Sequence, residues 1–451
     1  MKVIIAGSGE LGRLLAATLL TGNHDVILID SSVEELKQAS DKLDVMTIEG
    51  SCTSIETLKE AGVEDADALL AVSGHEATNI LTCQIAAKLG VKQTICRLYN
   101  SESFSASDGI LPENFGILNT VSPPAESAEK ICAILRRDIL LERILFSLDE
   151  AQMILIEITR SSILAGVSIK NIPGPEMLKG IRFAALLRGN HMIVPHGDTI
   201  FAPGDKVYVA GKTESLNAFL DWLSPGDMGL RPRLVMAGSD DTGRILAEKA
   251  LQQGFEVYFI EPDRQRAEHL LDELPSGVTM LEGSATQEDI LTEAGVENAD
   301  AFVSVDPDDE DNILSCILAK RLGARKVICL THKPEYIWIV PAMEMIDCGL
   351  SATLVSVNSI LRQLEAGAMR ADAILQRFRA HLTEFRVSPK SPLCGKMLKN
   401  CNLPSSLILA LIFRGKEVII PSGDTCLYAD DKAVAIVTKE GAREIEPLFP
   451  G

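Results

Sequence analysis

Basic residues are in short supply. The 451-residue chain has 43 Lys and Arg against 63 Asp and Glu, a formal net charge of −20. Phosphate backbones and anionic headgroups repel such a chain, which argues against nucleic acid as a partner. Long apolar runs are missing too: Ser406–Phe413 is among the longest, well short of the roughly 20 residues a membrane helix needs. Met1-Lys2 leads straight into a strand pattern rather than a signal peptide. No C-x-x-C, H-x-x-x-H, G-x-S-x-G or G-x-x-x-x-G-K-[ST] occurs. Common spacings for redox dithiols, structural zinc, hydrolases and P-loop enzymes are therefore absent. Ten cysteines are scattered instead, a pattern of reduced, mostly buried thiols in a cytoplasm.

What is present is a sequence written twice. Val3-Ile-Ile-Ala-Gly-Ser-Gly-Glu-Leu-Gly-Arg13 returns as Leu234-Val-Met-Ala-Gly-Ser-Asp-Asp-Thr-Gly-Arg244. Ile48–Thr53 returns as Leu281–Thr286, Glu60–Asp67 as Glu293–Asp300, and Ile80–Gly90 as Ile313–Gly323. The tails match as well: Ile193-Val-Pro-His-Gly-Asp-Thr199 and Ile419-Ile-Pro-Ser-Gly-Asp-Thr425. So many ordered matches define a duplication. Within each half, short apolar strands first alternate with helical periods, the pattern of a parallel sheet with crossover helices. A smaller strand-rich part follows, over Met153–Ile158, Phe183–Arg188, His191–Val194 and Lys206–Gly211 in the first half. The predicted fold is α/β: two tandem repeats, each a Rossmann-like parallel sheet (N-lobe) plus a small α+β C-lobe. The predicted boundaries are 1–120 for N-lobe 1, 121–143 for a linker with a crossover helix, and 144–225 for C-lobe 1. They continue as 231–350 for N-lobe 2, 351–381 for the second crossover helix, and 382–451 for C-lobe 2. Ser224–Pro232 reads as a turn-rich linker between the halves. The apolar faces of Ala125–Leu135 and Leu354–Leu364 bury either between lobes or subunits, or in ordinary intradomain core.

Gly7-x-Gly9-x-x-Gly12 follows a strand and opens a helix, the context a dinucleotide loop requires. Gly7 permits the tight turn, Gly9 lets a pyrophosphate approach the backbone, and Gly12 lets helix and strand pack closely. The helix N-terminus supplies free N–H groups and a positive dipole end. Asp30 ends the next strand, where its carboxylate can accept both ribose hydroxyls, and Ser31-Ser32 follow it without an arginine. A 2′-phosphate would meet an acid and no cation, so NAD(H) is preferred over NADP(H). The loops Gly50-Ser51-Cys52 and Val72-Ser73-Gly74-His75, with Arg97, end neighbouring strands and line the same crevice. Ser73 and Gly74 offer backbone groups, and Arg97 faces phosphate or pairs with an acid. A lone His75 or Cys52 is more often ordinary than catalytic.

The second loop, Gly238-Ser239-Asp240-Asp241-Thr242-Gly243, has Asp240 in place of the middle glycine. That puts bulk and negative charge in the pyrophosphate path. Glu261 matches Asp30 in position, so a nucleoside end can still fit, but the second lobe is expected to bind dinucleotide weakly or not at all. Val305–Asn312 is acidic, and is either a solvated charge run or a divalent-cation loop. The partner domain offers only His191 and His196 as evident bases; the second copy has Lys416 and Ser422 instead. A dehydrogenase needs an acid, base or metal against the nicotinamide, so the chain reads as a sensor with no catalytic residue and no metal ligand. An oxidoreductase with an unusual substrate is the rival reading. A redox-sensing transcription regulator needs a basic helix-turn-helix, which is absent.

Lys2–Gly12, Asp30, Ile48–Thr53, Ala71–Asn79 and Ile193–Thr199 resemble the RCK (KTN) domain and its small C-terminal partner. The doubled arrangement is similar to the tandem-RCK regulatory subunits of bacterial Trk potassium uptake systems. The resemblance implies a non-enzymatic, peripheral cytoplasmic protein that binds NAD(H), and often ATP or ADP. It would gate a TrkH- or TrkG-type membrane subunit, with four chains forming a ring of eight RCK lobes. By motif, Gly7, Ser8, Gly9, Glu10 and Leu11 would cradle the diphosphate, and Asp30 would take the ribose. Ser51 and Cys52 would lie near adenine, Ser73 and Gly74 over the crevice, and Arg97 at phosphate; Gly238, Ser239 and Glu261 are the second lobe's counterparts. Gly50-Ser51-Cys52-Thr53 departs from the family's usual Gly-Asp-Ala-Thr, which argues against an adenine-side hydrogen bond there. Glu10 stands where ATP-preferring relatives carry arginine, which favours NAD(H) over ATP in the first lobe. Regulation of another cation channel or antiporter is the alternative within this class.

Overall fold

The computed structural model describes the whole chain except 22–23, 100–103, 105–106, 138, 147–150, 190, 224–230, 334, 341–342, 344, 365–372, 376–379, 402, 405–406, 416, 439–447 and 449–451. Most of the expected linker Ser224–Pro232, part of the second crossover segment, and Lys416 lie outside the described residues.

The first lobe runs β1 (Lys2–Ala6), α1 (Glu10–Thr21), β2 (Asp25–Asp30), α2 (Val33–Ser40), β3 (Met46–Glu49), α3 (Ile55–Glu60), β4 (Ala68–Ala71), α4 (Glu76–Leu89), β5 (Gln93–Arg97) and β6 (Asn119–Val121). Its sheet is parallel, in the order β3-β2-β1-β4-β5-β6. Strands β1 and β4 are almost wholly apolar because helices cover both faces. Strand order reverses between β1 and β4, which opens a crevice at their carboxyl ends. Helix α5 (Pro123–Leu135) starts with prolines at positions that need no amide donor. It leads to β7 (Leu140–Leu145), β8 (Ala151–Glu157), β9 (Ile181–Arg188), β10 (His191–Ile193), β11 (Lys206–Lys212) and α6 (Thr213–Leu223). These strands form an antiparallel sheet ordered β10-β9-β11-β8-β7.

The second half repeats the plan with β12 (Arg233–Ala237), α7 (Asp241–Gln252), β13 (Glu256–Glu261), α8 (Arg264–Glu273), β14 (Val278–Glu282), α9 (Glu288–Glu293), β15 (Ala301–Ser304), α10 (Asp309–Leu322), β16 (Lys326–Thr331), α11 (Tyr336–Ile339) and β17 (Cys348–Ser351). The sheet order is again the same, β14-β13-β12-β15-β16-β17. Helix α12 (Ala352–Gln363), capped by Ser351, leads to β18 (Ala373–Leu375), β19 (Ala380–Arg386), β20 (Leu407–Arg414), β21 (Glu417–Ile419) and β22 (Lys432–Thr438). The second small sheet is antiparallel, β18-β19-β22-β20-β21.

The crossover helices are exchanged between the halves. Ala128, Ile131 and Leu135 of α5 pack into the second lobe's core with Met236, Leu246 and Ala250. Val357, Ile360 and Leu361 of α12 pack into the first lobe's core with Ile5, Leu15 and Leu19. Each large apolar side chain buried this way contributes roughly 1.5–3 kcal/mol. The apolar faces of both crossover helices therefore bury between lobes. Polar anchors reinforce the exchange: buried Lys326 donates from Nζ to the carbonyls of Arg137 (2.7 Å), Leu140 (3.0 Å) and Ile134 (3.3 Å), at the carboxyl end of α5. Gln93, opening β5 as Lys326 opens β16, donates from Nε2 to Gln363 O at the end of α12 (2.6 Å). The small sheets also share one core, with Met153, Leu155 and Tyr208 against Ile408, Phe413 and Ile436.

Candidate functional site

Glycines at the first crevice divide by what their hydrogens face. Gly7 has φ +114°, and a Cβ on it would lie 2.8 Å from Ser73 N. A Cβ on Gly12 would lie 1.9 Å from Gly7 O. Both are glycine for reasons of packing. A Cβ on Gly9 would meet nothing within 4 Å, so only an occupant of the open crevice needs the bare backbone there. The second lobe separates these roles. Gly238 (φ +104°) and Gly243 keep the close approaches, at 2.4 Å to Asp306 N and 1.9 Å to Gly238 O. The position matching Gly9 is Asp240, whose carboxylate caps α7 by accepting from Gly243 N at 3.0 Å. A side chain of the protein thus occupies the helix N-terminus that an anion would otherwise take.

Asp30 accepts from Ser8 N (2.7 Å) and Ser32 N (2.9 Å), which fixes its carboxylate at the lip of the crevice. Glu261 is fully buried, with Oε1 accepting from Asp263 N (2.9 Å). Asp30, by contrast, is only partly buried. Arg97 lies over Tyr99, 4.5 Å from the ring centroid, and its buried Nε has no hydrogen-bond partner among the described residues. Burial lowers its pKa, yet arginine stays charged in such settings. In the second lobe the same register position is Leu330.

These features surround a cleft of about 830 Å³, within the usual range for ligand sites. Gly7, Gly9, Glu10, Leu11, Asp30, Ser51, Cys52, Ser73, Gly74 and Arg97 line it. Ser8 and Gly12 stand behind the wall: the Ser8 side chain is buried against Glu35 O, and Gly12 packs on Gly7. Gly238, Ser239 and Glu261 do not line it; His191 and His196 belong to the small lobe and are also absent from the lining. The cleft is walled by both halves, with Asp240, Asp241, Thr242 and His332 facing it from the second lobe. The first turns of the exchanged helices contribute Pro123, Pro124, Thr353 and Ser356. The bare turn at Gly9, the unpartnered Arg97 Nε and the fixed Asp30 acceptor suit a diphosphate joined to a ribose.

Two polar centres were not singled out from sequence. Asn79 accepts from Ser73 N (2.9 Å) and Ser73 Oγ (2.7 Å) and donates to Arg97 O (3.0 Å), so it shapes the loop after β4. Asn312 repeats this with Ser304 Oγ, Asp306 N and Leu330 O. The recurrence of Asn at matched ends of Val72–Asn79 and Val305–Asn312 was a signal available in the chain. The other centre is His332, whose Nδ1 lies 3.0 Å from the buried Asp309 carboxylate. That hydrogen bond raises His332 above its ordinary 6.5 against burial, and Asp240 and Glu10 act in the same direction. Burial pushes Asp309 upward, but hydrogen bonds from His332 and Lys333 hold it below its ordinary 3.8.

Stability from the raised histidine is full below 6.5 and lost as pH rises through its folded value. Stability from the lowered aspartate is present above 3.8 and lost as pH falls through its folded value. His332→Gln should flatten the decline of melting temperature on the alkaline side of pH 6.5. An unchanged decline would assign that slope to other groups.

Carboxylates of the acidic loop Val305–Asn312 serve caps and pairs. Asp308 caps α10 through Asp311 N (3.0 Å), and Asp306 accepts from Asp308 N (2.9 Å). Glu310 binds Lys333 and Tyr336, which lower it to about 2. Among the described residues, no group of three or more His, Cys, Asp or Glu side chains is placed to hold a metal ion. Burial, with Asp30 beside it, raises the Cys52 thiol to about 11, which keeps it from acting as a thiolate.

Fold and cleft together define a class: paired Rossmann-like lobes, each with a small antiparallel partner, with one open and one self-capped crevice. The family description "TrkA-N domain" matches residues 3–123 and 234–347, and "TrkA-C domain" matches 153–224 and 382–449. The chain belongs to the TrkA family, whose members are non-enzymatic regulators. It is 31% identical over 451 residues to the Trk system potassium uptake protein TrkA homolog of Archaeoglobus fulgidus, with all of both chains covered. It is 28% identical to Trk system potassium uptake protein TrkA of Halomonas elongata, covering 100% of this chain and 98% of that one. Among solved structures, the GsuK RCK domain shares the fold at a TM-score of 0.60 and 16% identity, covering 99% of this chain and 94% of that one. The GsuK channel bound to NAD does so at 0.61 and 17%, covering 99% and 78%.

Proposed function

We propose that this chain is the cytoplasmic, peripheral regulatory subunit of a potassium uptake transporter, and that it reads NAD(H) in its first cleft. One observation carries the reading: a single cleft is walled by the first lobe's glycine loop, the second lobe's loop and both exchanged helices. An occupant therefore touches both halves at their junction. If one interlobe geometry grips the nucleotide better, occupancy shifts the pair toward it. That shift is the signal passed to a membrane subunit of the TrkH or TrkG type. Four chains, arranged as a ring of eight lobes, would apply it symmetrically. The relatives named for potassium uptake and the NAD-bound channel of the same fold support this reading. No helix among the described residues is long and apolar enough to cross a membrane.

Glu10 favours NAD(H) over ATP. Its pKa is raised by burial and by Glu335 and Asp309 of the second half, with Arg13 opposing. A γ-phosphate there would meet the Glu10 carboxylate in a cleft also lined by Asp240 and Asp241. Capture of the membrane subunit from solubilised membranes should change on adding NADH; capture indifferent to NADH in wild type would count against the reading. Asp30→Ala should weaken NADH binding by roughly 1–3 kcal/mol, the range for lost hydrogen bonds to a charged acceptor. Calorimetry with unaltered affinity would remove Asp30 from the ribose site.

A further inference from the structure

A second cavity, of about 1000 Å³, lies where α5, α7 and α12 meet the first small lobe. Its charge runs against that of the chain. Lys130, Arg136, Arg137, Arg143, Lys249 and Arg362 line it, against the carboxylates of Glu126, Glu129 and Glu142. Six cations to three acids is a marked local excess in a chain of net charge −20. Two of the acids are engaged or weakened. Glu142 accepts from Tyr208 OH, and burial raises Glu126 to about 7, so much of it is uncharged at neutral pH.

The cations are poorly neutralised. Arg137 reaches Asp221 at the surface, but Lys130, Arg136, Lys249 and Arg362 form no ion pair among the described residues. Among the described residues, the buried Arg143 Nε has no partner, and the one side-chain hydrogen bond Arg143 makes is a long one, Nη2 to Asn217 Oδ1 at 3.5 Å. Burial and then the like charges of Arg136 and Arg137 lower its pKa. Crowded, half-desolvated cations repel one another and are relieved by a multivalent anion. The remaining wall is apolar at Ile144, Val355 and Leu361 and carries amides at Asn217, Gln253 and Asn358. The Gln253 Oε1 is buried and unpartnered, an acceptor a base amino group can meet.

We propose that this crossover cavity is a second ligand site, separate from the NAD(H) cleft, and that it binds a phosphate chain of the nucleoside-polyphosphate class. It sits against both exchanged helices, so its occupant bears on the same interlobe junction from the opposite end of α5. The test is calorimetry on the full chain saturated with NADH, so that the first cleft is filled. ATP and inorganic tripolyphosphate are titrated as probes, into wild type and into Arg143→Gln/Arg362→Gln. Wild type should show one further binding event, weakened at least tenfold in the double variant while NADH affinity is unchanged. Retained NADH binding certifies the variant's fold, and Arg143→Lys should restore part of the affinity. Binding of both probes assigns the site to the phosphate chain alone; binding of ATP only assigns it to the nucleotide. No event in NADH-saturated wild type, or one the double variant leaves intact, overturns the proposal. If wild type binds no NADH at all, it is the first-cleft reading that fails, and the ATP event still judges this one.

Discussion

Gly9→Asp should eliminate measurable NADH binding and leave the protein at least as stable as wild type. A Cβ at this position meets nothing within 4 Å, so the added side chain has room. The second lobe already carries the substitution: Asp240 caps α7 through Gly243 N. The same cap on α1 should contribute about 0.5–2 kcal/mol to stability. For the ligand the effect has the opposite sign. A carboxylate about 4 Å from a phosphate charge, at an effective dielectric near 20, costs on the order of 4 kcal/mol, close to a thousandfold in affinity. NADH fluorescence titration and thermal denaturation of one preparation check both halves of this expectation. Binding within a few-fold of wild type would mean that the diphosphate does not pass Gly9.

The largest expected effect on stability is at Lys326. Lys326→Met keeps the length and apolar stem but removes a buried ammonium that serves the carbonyls of Ile134, Arg137 and Leu140. Bonds to a charged donor are each worth about 1.5–3 kcal/mol, and carbonyls left without one bear their desolvation. The loss is not additive, so a destabilisation on the order of 3 kcal/mol is expected in chemical denaturation. Gln93→Leu, which removes the neutral counterpart at the end of α12, should cost about 1 kcal/mol. Equal effects for the two would show that charge is not what anchors α5.

The fold was largely legible because the chain states it twice. Gly7 and Gly12 recur as Gly238 and Gly243, and the alternation of apolar strands with helical periods predicts the parallel sheets that the structure shows, though not their strand order. The exchange of α5 and α12 was not decidable. Ala128, Ile131 and Leu135 say that a face must be covered, but either sheet offers an apolar cover, and only the three-dimensional path selects the second. The residues bordering the first cleft in its own lobe could be read from strand ends. His332, Thr353 and Ser356 could not, because they arrive from the other half. The acidic loop shows why composition alone leaves alternatives open. Carboxylates that can crowd a cation are also the residues that cap helices, and Asp308 and Asp240 take the second role. Glu261 takes Asp30's register position and repeats its bond to the amide two residues on, yet it is fully buried, which the sequence could not show.

Rubidium uptake tests the central claim most directly. A strain lacking this chain is complemented at equal expression with wild type or Gly9→Asp, and uptake is followed while the cellular NADH to NAD⁺ ratio is varied. Wild type should restore uptake that responds to the ratio; Gly9→Asp should support uptake that no longer does. Identical responses from the two, or uptake untouched by removing the chain, would contradict the account.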